Sequence, residues 1–234
     1  MRLLLLSNST SHGQGYLDHA MPEVTDFFGT VKRILFVPYA LFDIEGYTLK
    51  ARERFLTAGI EVEGLILGTE GLRQLERAEG IFVGGGNTFR LLDRLQRSDL
   101  LTVIRDRVQR GMPCLGASAG SNLACPSLKT TNDMPIVEPP SFEALDLVPF
   151  QINPHYLDPA PGSTHMGETR ETRIREFLEE NTVPVLGLRE GAWLRREGDT
   201  LRLAGANGAR LFRPGEEPVE YEPGEGMDFL LTGD

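Results

Sequence analysis

The sequence predicts an α/β fold built on a mostly parallel sheet, and two observations carry that expectation. Short apolar runs alternate with longer stretches whose apolar residues recur at three- and four-residue spacing, and glycine, proline or polar residues bound the short runs. This is the rhythm of βαβ units. Residues 3–6, four leucines in a row, read as the first strand. Residues 34–37, 62–66, 81–83 and 114–115 follow as four more, each compact and apolar as strands covered on both faces must be. Between them, residues 46–56, 73–78, 88–95 and 101–110 carry the helical spacing and read as covering helices. After Ser118 the pattern loosens through residues 130–149, a proline-rich stretch long enough to be either functional or a linker. A strand at 150–152, a charged helix over 168–180, and short strands at 185–188, 193–194, 201–203 and 211–212 complete the chain. With no low-complexity linker and no internal repeat, residues 1–234 read as a single α/β domain.

Composition narrows the class of function. Hydrophobic residues make up 40% and charged residues 25% of 234 positions, the make-up of a globular chain with a sizeable core rather than a disordered or membrane-spanning one. The formal net charge of −10 argues against a nucleic-acid partner, because a phosphate backbone demands a basic face. It does not exclude a small acidic ligand, since one or two arginines aimed into a closed pocket can hold a carboxylate. Cys114 and Cys125 lie without a CxxC or Cys/His cluster, so neither a disulfide framework nor a zinc site is expected and a reducing, cytoplasmic compartment fits. The leucine run stops at Ser7, too short for a signal-peptide core, and no span approaches the length of a transmembrane helix.

The strongest local signal is Gly116-Ala117-Ser118-Ala119-Gly120, a G-x-S-x-G that follows an apolar run and precedes the helix-compatible residues 121–124. A nucleophile on a sharp strand-to-helix turn sits in a strained backbone, so small residues must flank it. The N–H of Ala119 would then face a developing oxyanion. A glycine-rich βα turn without chemistry would look alike over these five residues. The second signal is Gly84-Gly85-Gly86-Asn87-Thr88, again a strand running into a helix, with more glycines than a turn needs. Close backbone approach to something is implied, and Gly86 is the expected second oxyanion donor. Neither a P-loop lysine nor a full G-x-G-x-x-G follows, which sets nucleotide binding below that role. Serine needs a base. Of the four histidines, His12 reads as a loop residue and His19 as solvent-facing in a helix-like stretch, while His155 follows a strand, where open α/β folds place their sites. His165, in a loop, is the weaker rival. Two carboxylates compete to orient the imidazole: Glu190, at another strand end, and Asp133, in the loop after the serine.

With these residues in view, the sequence resembles the peptidase E, or aspartyl dipeptidase, family. The matching stretches, in order, are residues 3–10, 83–89, 118–120, 122–126, 130–137, 151–155 and 167–170, and several blocks together are far more specific than one motif. The resemblance implies a three-layer, doubly wound fold like that of class I glutamine amidotransferases, with Ser118 where those carry cysteine. It implies a Ser–His–acid site in the chain order Ser118, His155, Glu190, with Asp133 a second candidate for the acid, and hydrolysis of Asp-X dipeptides without metal or cofactor. Ala117 departs from the bulkier aromatic of other members, which bears on pocket shape. A substrate aspartate demands a cation: Arg170 and Arg173, three apart on one helical face, are expected to meet it, together with Asn87 from the glycine loop. A lattice of surface ion pairs along residues 168–176 is the competing account of both arginines. The expected partner is a small dipeptide, with no nucleic acid and no membrane; a homodimer is left open. A cyanophycinase-like β-aspartyl peptidase and a non-catalytic binding protein on the same scaffold are the alternatives.

Overall fold

The structure, a computed structural model, describes residues 1–158 and 167–232. Its main sheet has seven strands in the order β3-β2-β4-β5-β1-β8-β9: β1 (Arg2–Leu6), β2 (Arg33–Val37), β3 (Glu61–Gly64), β4 (Ile81–Val83), β5 (Cys114–Ala117), β8 (Ala192–Glu197) and β9 (Thr200–Gly205). The five strands from β3 to β1 are parallel, and β8 and β9 add an antiparallel hairpin at the edge. The sheet is therefore mostly parallel, as the βαβ rhythm requires.

The leucine run of β1 explains the layers. Successive strand residues point to opposite faces, and here Leu3 and Leu5 enter one apolar cluster while Leu4 and Leu6 enter the other. On the second face, α1 (Met21–Phe28) and α2 (Ile44–Leu56) bury Val24, Phe27, Phe28, Tyr47 and Phe55. On the first, α3 (Thr69–Arg77), α4 (Thr88–Arg97), α5 (Leu100–Gln109) and α6 (Ala119–Leu123) bury Leu75, Leu91, Leu95, Ile104 and Leu123. Each such side chain contributes about 1.5–3 kcal/mol of transfer free energy. Helices on both faces make the three-layer, doubly wound architecture. Asp43 and Asn87 cap α2 and α4 by accepting the N–H groups of Gly46 and Arg90, at 2.9 and 3.0 Å.

The remaining strands depart from a single-sheet picture. β6 (Gln151–Tyr156), β7 (Val185–Arg189), β10 (Ala209–Phe212) and β11 (Val219–Tyr221) form a separate sheet in the order β11-β10-β7-β6, where only the β6–β7 pair is parallel. β11 and α1 were not among the expected elements. β11 has only three residues, none of them buried, so it leaves no alternating pattern to read. The helix α7 (Arg170–Glu180) packs on this small sheet mainly through Ile174, with Phe177 and Leu178 half-buried. The long stretch after Ser118 is no linker: Leu145, Leu147, Val148 and Phe150 are buried in the main core, and Arg105 ties down the carbonyls of Leu145 and Ala144 at 2.7 and 2.6 Å.

Candidate active site

Segments that follow β1, β2, β4 and β5 of the large sheet meet the end of β6 from the small one around a cavity of about 700 Å³ whose lining includes Ser118, His155, Gly85, Gly86, Asp133 and Lys50. Ser118 stands between β5 and α6 with φ 54° and ψ −108°, an arrangement that a side-chain-bearing residue rarely adopts. The following helix begins at Ala119, so its amide sits beside the hydroxyl.

His155 lies where the β6–β7 register shifts between Pro154 and Tyr156, and it too has φ 54°. This irregularity turns the imidazole toward the large sheet. Its Nε2 is 2.9 Å from Ser118 Oγ, and its Nδ1 is 2.6 Å from Glu190 Oε1. A carboxylate can only accept, so Nδ1 carries the proton and Nε2 presents its lone pair to the serine hydroxyl. Glu190 follows β7, whose last residue Arg189 is held by both carboxylate oxygens of Asp158 at 2.8 and 2.9 Å and by Glu220 at 2.9 Å.

The other expected carboxylate is committed elsewhere. Asp133 accepts hydrogen bonds from the N–H of Thr88, at 2.7 Å, and from its hydroxyl, which fastens the loop after the serine to the start of α4. The Asn87 side chain is likewise occupied, capping α4 with Oδ1 and donating to the Met134 carbonyl at 2.9 Å. Arg173 forms an exposed pair with Glu168 at 3.0 Å. Arg170, in the first turn of α7, is half-buried: desolvation and the neighbouring Arg173 lower its pKa, while the charge of Asp133, on the cavity wall, opposes them. His165 lies outside the described residues, and His12 is exposed.

The glycines are explained by crowding. A Cβ on Gly85 would come within 3.1 Å of both Ser118 Cβ and the Ala117 carbonyl oxygen, and Gly86, at φ 135°, would bring one within 2.7 Å of the Ala40 carbonyl. The loop can approach the hydroxyl only because it has no side chains.

Two features went unread in the sequence. Lys50 reaches the cavity over the ring of Tyr16, 4.6 Å from its centroid; its only signal was its helical spacing from Tyr47. His19, expected to face solvent, is half-buried beside Trp193, ring centroids 6.5 Å apart, and both its ring nitrogens are buried without a partner at hydrogen-bonding distance. It precedes α1 in a turn, not a helix, so helical periodicity misjudged its direction.

Comparison with known proteins identifies the family. The family model described as peptidase family S51 matches residues 3–204. The chain is 60% identical over 231 residues to peptidase E of Streptomyces coelicolor, covering 99% of this chain and 95% of that protein. It is 51% identical to a probable alpha-aspartyl dipeptidase of Drosophila melanogaster, covering 98% and 97%. The solved structure of a peptidase from an acI-B1 actinobacterium matches the fold with a TM-score of 0.71 at 19% identity, covering 97% of this chain and 96% of that one.

Proposed function

The chain belongs to peptidase family S51, and from that membership we propose that it is a serine-type dipeptidase releasing aspartate from the N-terminus of Asp-X dipeptides. The observation that carries the reading is the continuous line from Ser118 Oγ through both imidazole nitrogens of His155 to Glu190, at 2.9 and 2.6 Å.

In this mechanism His155 Nε2 takes the Ser118 proton as Oγ attacks the aspartyl carbonyl carbon. The N–H groups of Gly86 and Ala119 stabilise the resulting oxyanion, and Glu190 stabilises the imidazolium. His155 then gives the proton to the leaving amine, the C–N bond breaks, and an aspartyl ester remains on Ser118. Water, deprotonated by the same histidine, attacks that ester and regenerates the hydroxyl. No step requires a metal or cofactor.

Selection of aspartate needs positive charge against a strongly acidic protein. We assign this to Arg170, whose planar guanidinium matches a carboxylate and whose charge interacts with Asp133 on the cavity wall, with Lys50, which lines the cavity, as a second cation. Asn87 and Arg173 are assigned no substrate contact in this reading, since α4, Met134 and Glu168 engage them. Asp133 is assigned the fastening of the cavity wall. We place the enzyme in the cytoplasm, a setting suited to the buried free thiols of Cys114 and Cys125. Among the described residues no helix is long and apolar enough to cross a membrane.

A dipeptide panel tests the proposal. Asp-Leu should be cleaved far better than Asn-Leu or Ala-Leu, because the neutral analogues leave the cations unmatched. Equal turnover of Asp-Leu and Asn-Leu would defeat selection by charge, and preference for β-linked Asp-Leu would favour the cyanophycinase-like alternative, which the names of the relatives do not support.

A further inference from the structure

The nucleophile and its base stand on different sheets. Ser118 leaves β5 of the seven-stranded sheet, whereas His155 and Glu190 belong to β6 and the end of β7 in the four-stranded one. Any sliding of one sheet against the other opens the 2.9 Å contact on which proton transfer depends. Something must fix their relative position; Asn122 of α6 donates to the Ile152 carbonyl of β6 at 2.7 Å, and the end of β1 supplies the crossing that reaches His155 itself.

Three consecutive residues build the link, Leu6 on the side of the large sheet and Ser7 and Asn8 toward the small one. The carbonyl of Leu6 accepts the N–H of Ser118 at 3.0 Å and the hydroxyl of Ser121 at 2.7 Å. The hydroxyl of Ser7, fully buried, accepts the N–H of His155 at 2.9 Å and donates to the carbonyl of Leu188 at 2.8 Å. The carboxamide of Asn8, also fully buried, accepts the N–H of Gly191 at 2.7 Å and donates to the Thr10 carbonyl and the Ser11 hydroxyl at 3.0 and 3.1 Å. A serine hydroxyl has one proton and two lone pairs, so Ser7 can serve β6 and β7 at once, which alanine cannot. The His155 amide also needs this partner more than most, because it belongs to a residue held at φ 54° at a break in strand register.

We propose that Ser7 and Asn8 are positioning residues for hydrolysis: Ser7 sets the main chain of His155, and Asn8 sets the Gly191 turn that carries Glu190. Neither touches substrate. The inference rests on the catalytic reading of Ser118, His155 and Glu190, and it adds that the end of β1 clamps the small sheet in the register that brings them together.

The test is steady-state hydrolysis of Asp-Leu by Ser7→Ala, Ser7→Cys and Asn8→Ala, with thermal unfolding and the pH profile of kcat/KM for each, and His155→Ala as control. Ser7→Ala should lose up to about 10²-fold in kcat with KM little changed, the scale on which misplacement of a catalytic group acts. Ser7→Cys keeps the volume but accepts hydrogen bonds poorly, so it should fall between Ser7→Ala and wild type. In Asn8→Ala a displaced Glu190 stabilises the imidazolium less, and the acid limb of the profile should move to lower pH. Folded Ser7→Ala and Ser7→Cys with wild-type kcat would overturn the proposal, as would an unshifted profile in Asn8→Ala. If Ser7→Ala does not fold, Ser7→Cys and Asn8→Ala decide the matter by the same readouts. Turnover retained by His155→Ala would instead refute the catalytic reading itself; a dead His155→Ala beside a fully active Ser7→Ala would sink only the positioning role.

Discussion

Ser118 and His155, whose Oγ and Nε2 lie 2.9 Å apart, share the same unusual backbone angle, φ 54°. Two side-chain-bearing residues from different sheets thus hold strained conformations at the point where they meet. Strain of this kind costs of the order of 1–3 kcal/mol per residue and persists only where the surroundings over-determine it.

The first prediction concerns that cost at the serine. Ser118→Gly relieves the backbone, while Ser118→Ala removes the hydroxyl and leaves the strain in place. Both variants should be inactive on Asp-Leu, with the glycine variant more stable than the alanine variant by about 1 kcal/mol in urea unfolding. A glycine variant less stable than the alanine one would mean that the turn is unstrained.

The second separates the two carboxylates. Glu190→Gln can still accept a hydrogen bond from Nδ1–H but lacks the charge that stabilises the imidazolium, and should lower kcat by up to about 10⁴-fold. Asp133→Asn loosens the attachment of its loop to Thr88, so its effect should fall mainly on KM and stability. Kinetics in which Asp133→Asn is the more severe in kcat would reverse the assignment of the acid.

The third addresses the glycine loop. A Cβ on Gly86 meets the Ala40 carbonyl at 2.7 Å and also demands a backbone conformation that alanine disfavours. Gly86→Ala should withdraw its N–H from the oxyanion and reduce kcat by about 10²–10³-fold. Wild-type kcat in this variant would remove Gly86 from the mechanism.

The fourth concerns pH and His19. Burial lowers its pKa below 6.5, opposed by the charges of Asp18 and Glu190. Between the lowered folded-state value and 6.5, the unfolded chain binds more protons than the folded one, so stability is full above 6.5 and declines as the pH falls. His19→Gln removes this contribution. Unfolding free energies measured on both sides of 6.5 should depend less on pH in the variant; matching slopes in the two proteins would show that His19 titrates alike folded and unfolded.

Local chemistry was enough for much of the molecule. The alternation of apolar runs and helical spacing marked the parallel strands because the part of a strand covered on both faces must be apolar, as residues 3–6 of β1 are. The turn at Ser118 and the glycine loop were visible because strained or crowded backbone admits few residue types. Proximity between distant segments was not legible. Glu190 and Asp133 are chemically equivalent on paper, and only the placement of β7 brings one of them to the imidazole while Thr88 engages the other. The hydrogen bonds of Asn87 to the start of α4 and to Met134 were not visible in the sequence, and His19 looked exposed until Trp193 was found beside it. The division into two sheets, and the polar crossing at Ser7 and Asn8 between them, was likewise settled in three dimensions. The sequence constrains each segment through its own backbone and solvent preferences. Which side chains share a hydrogen bond depends on how the whole chain packs, and no single segment carries that information.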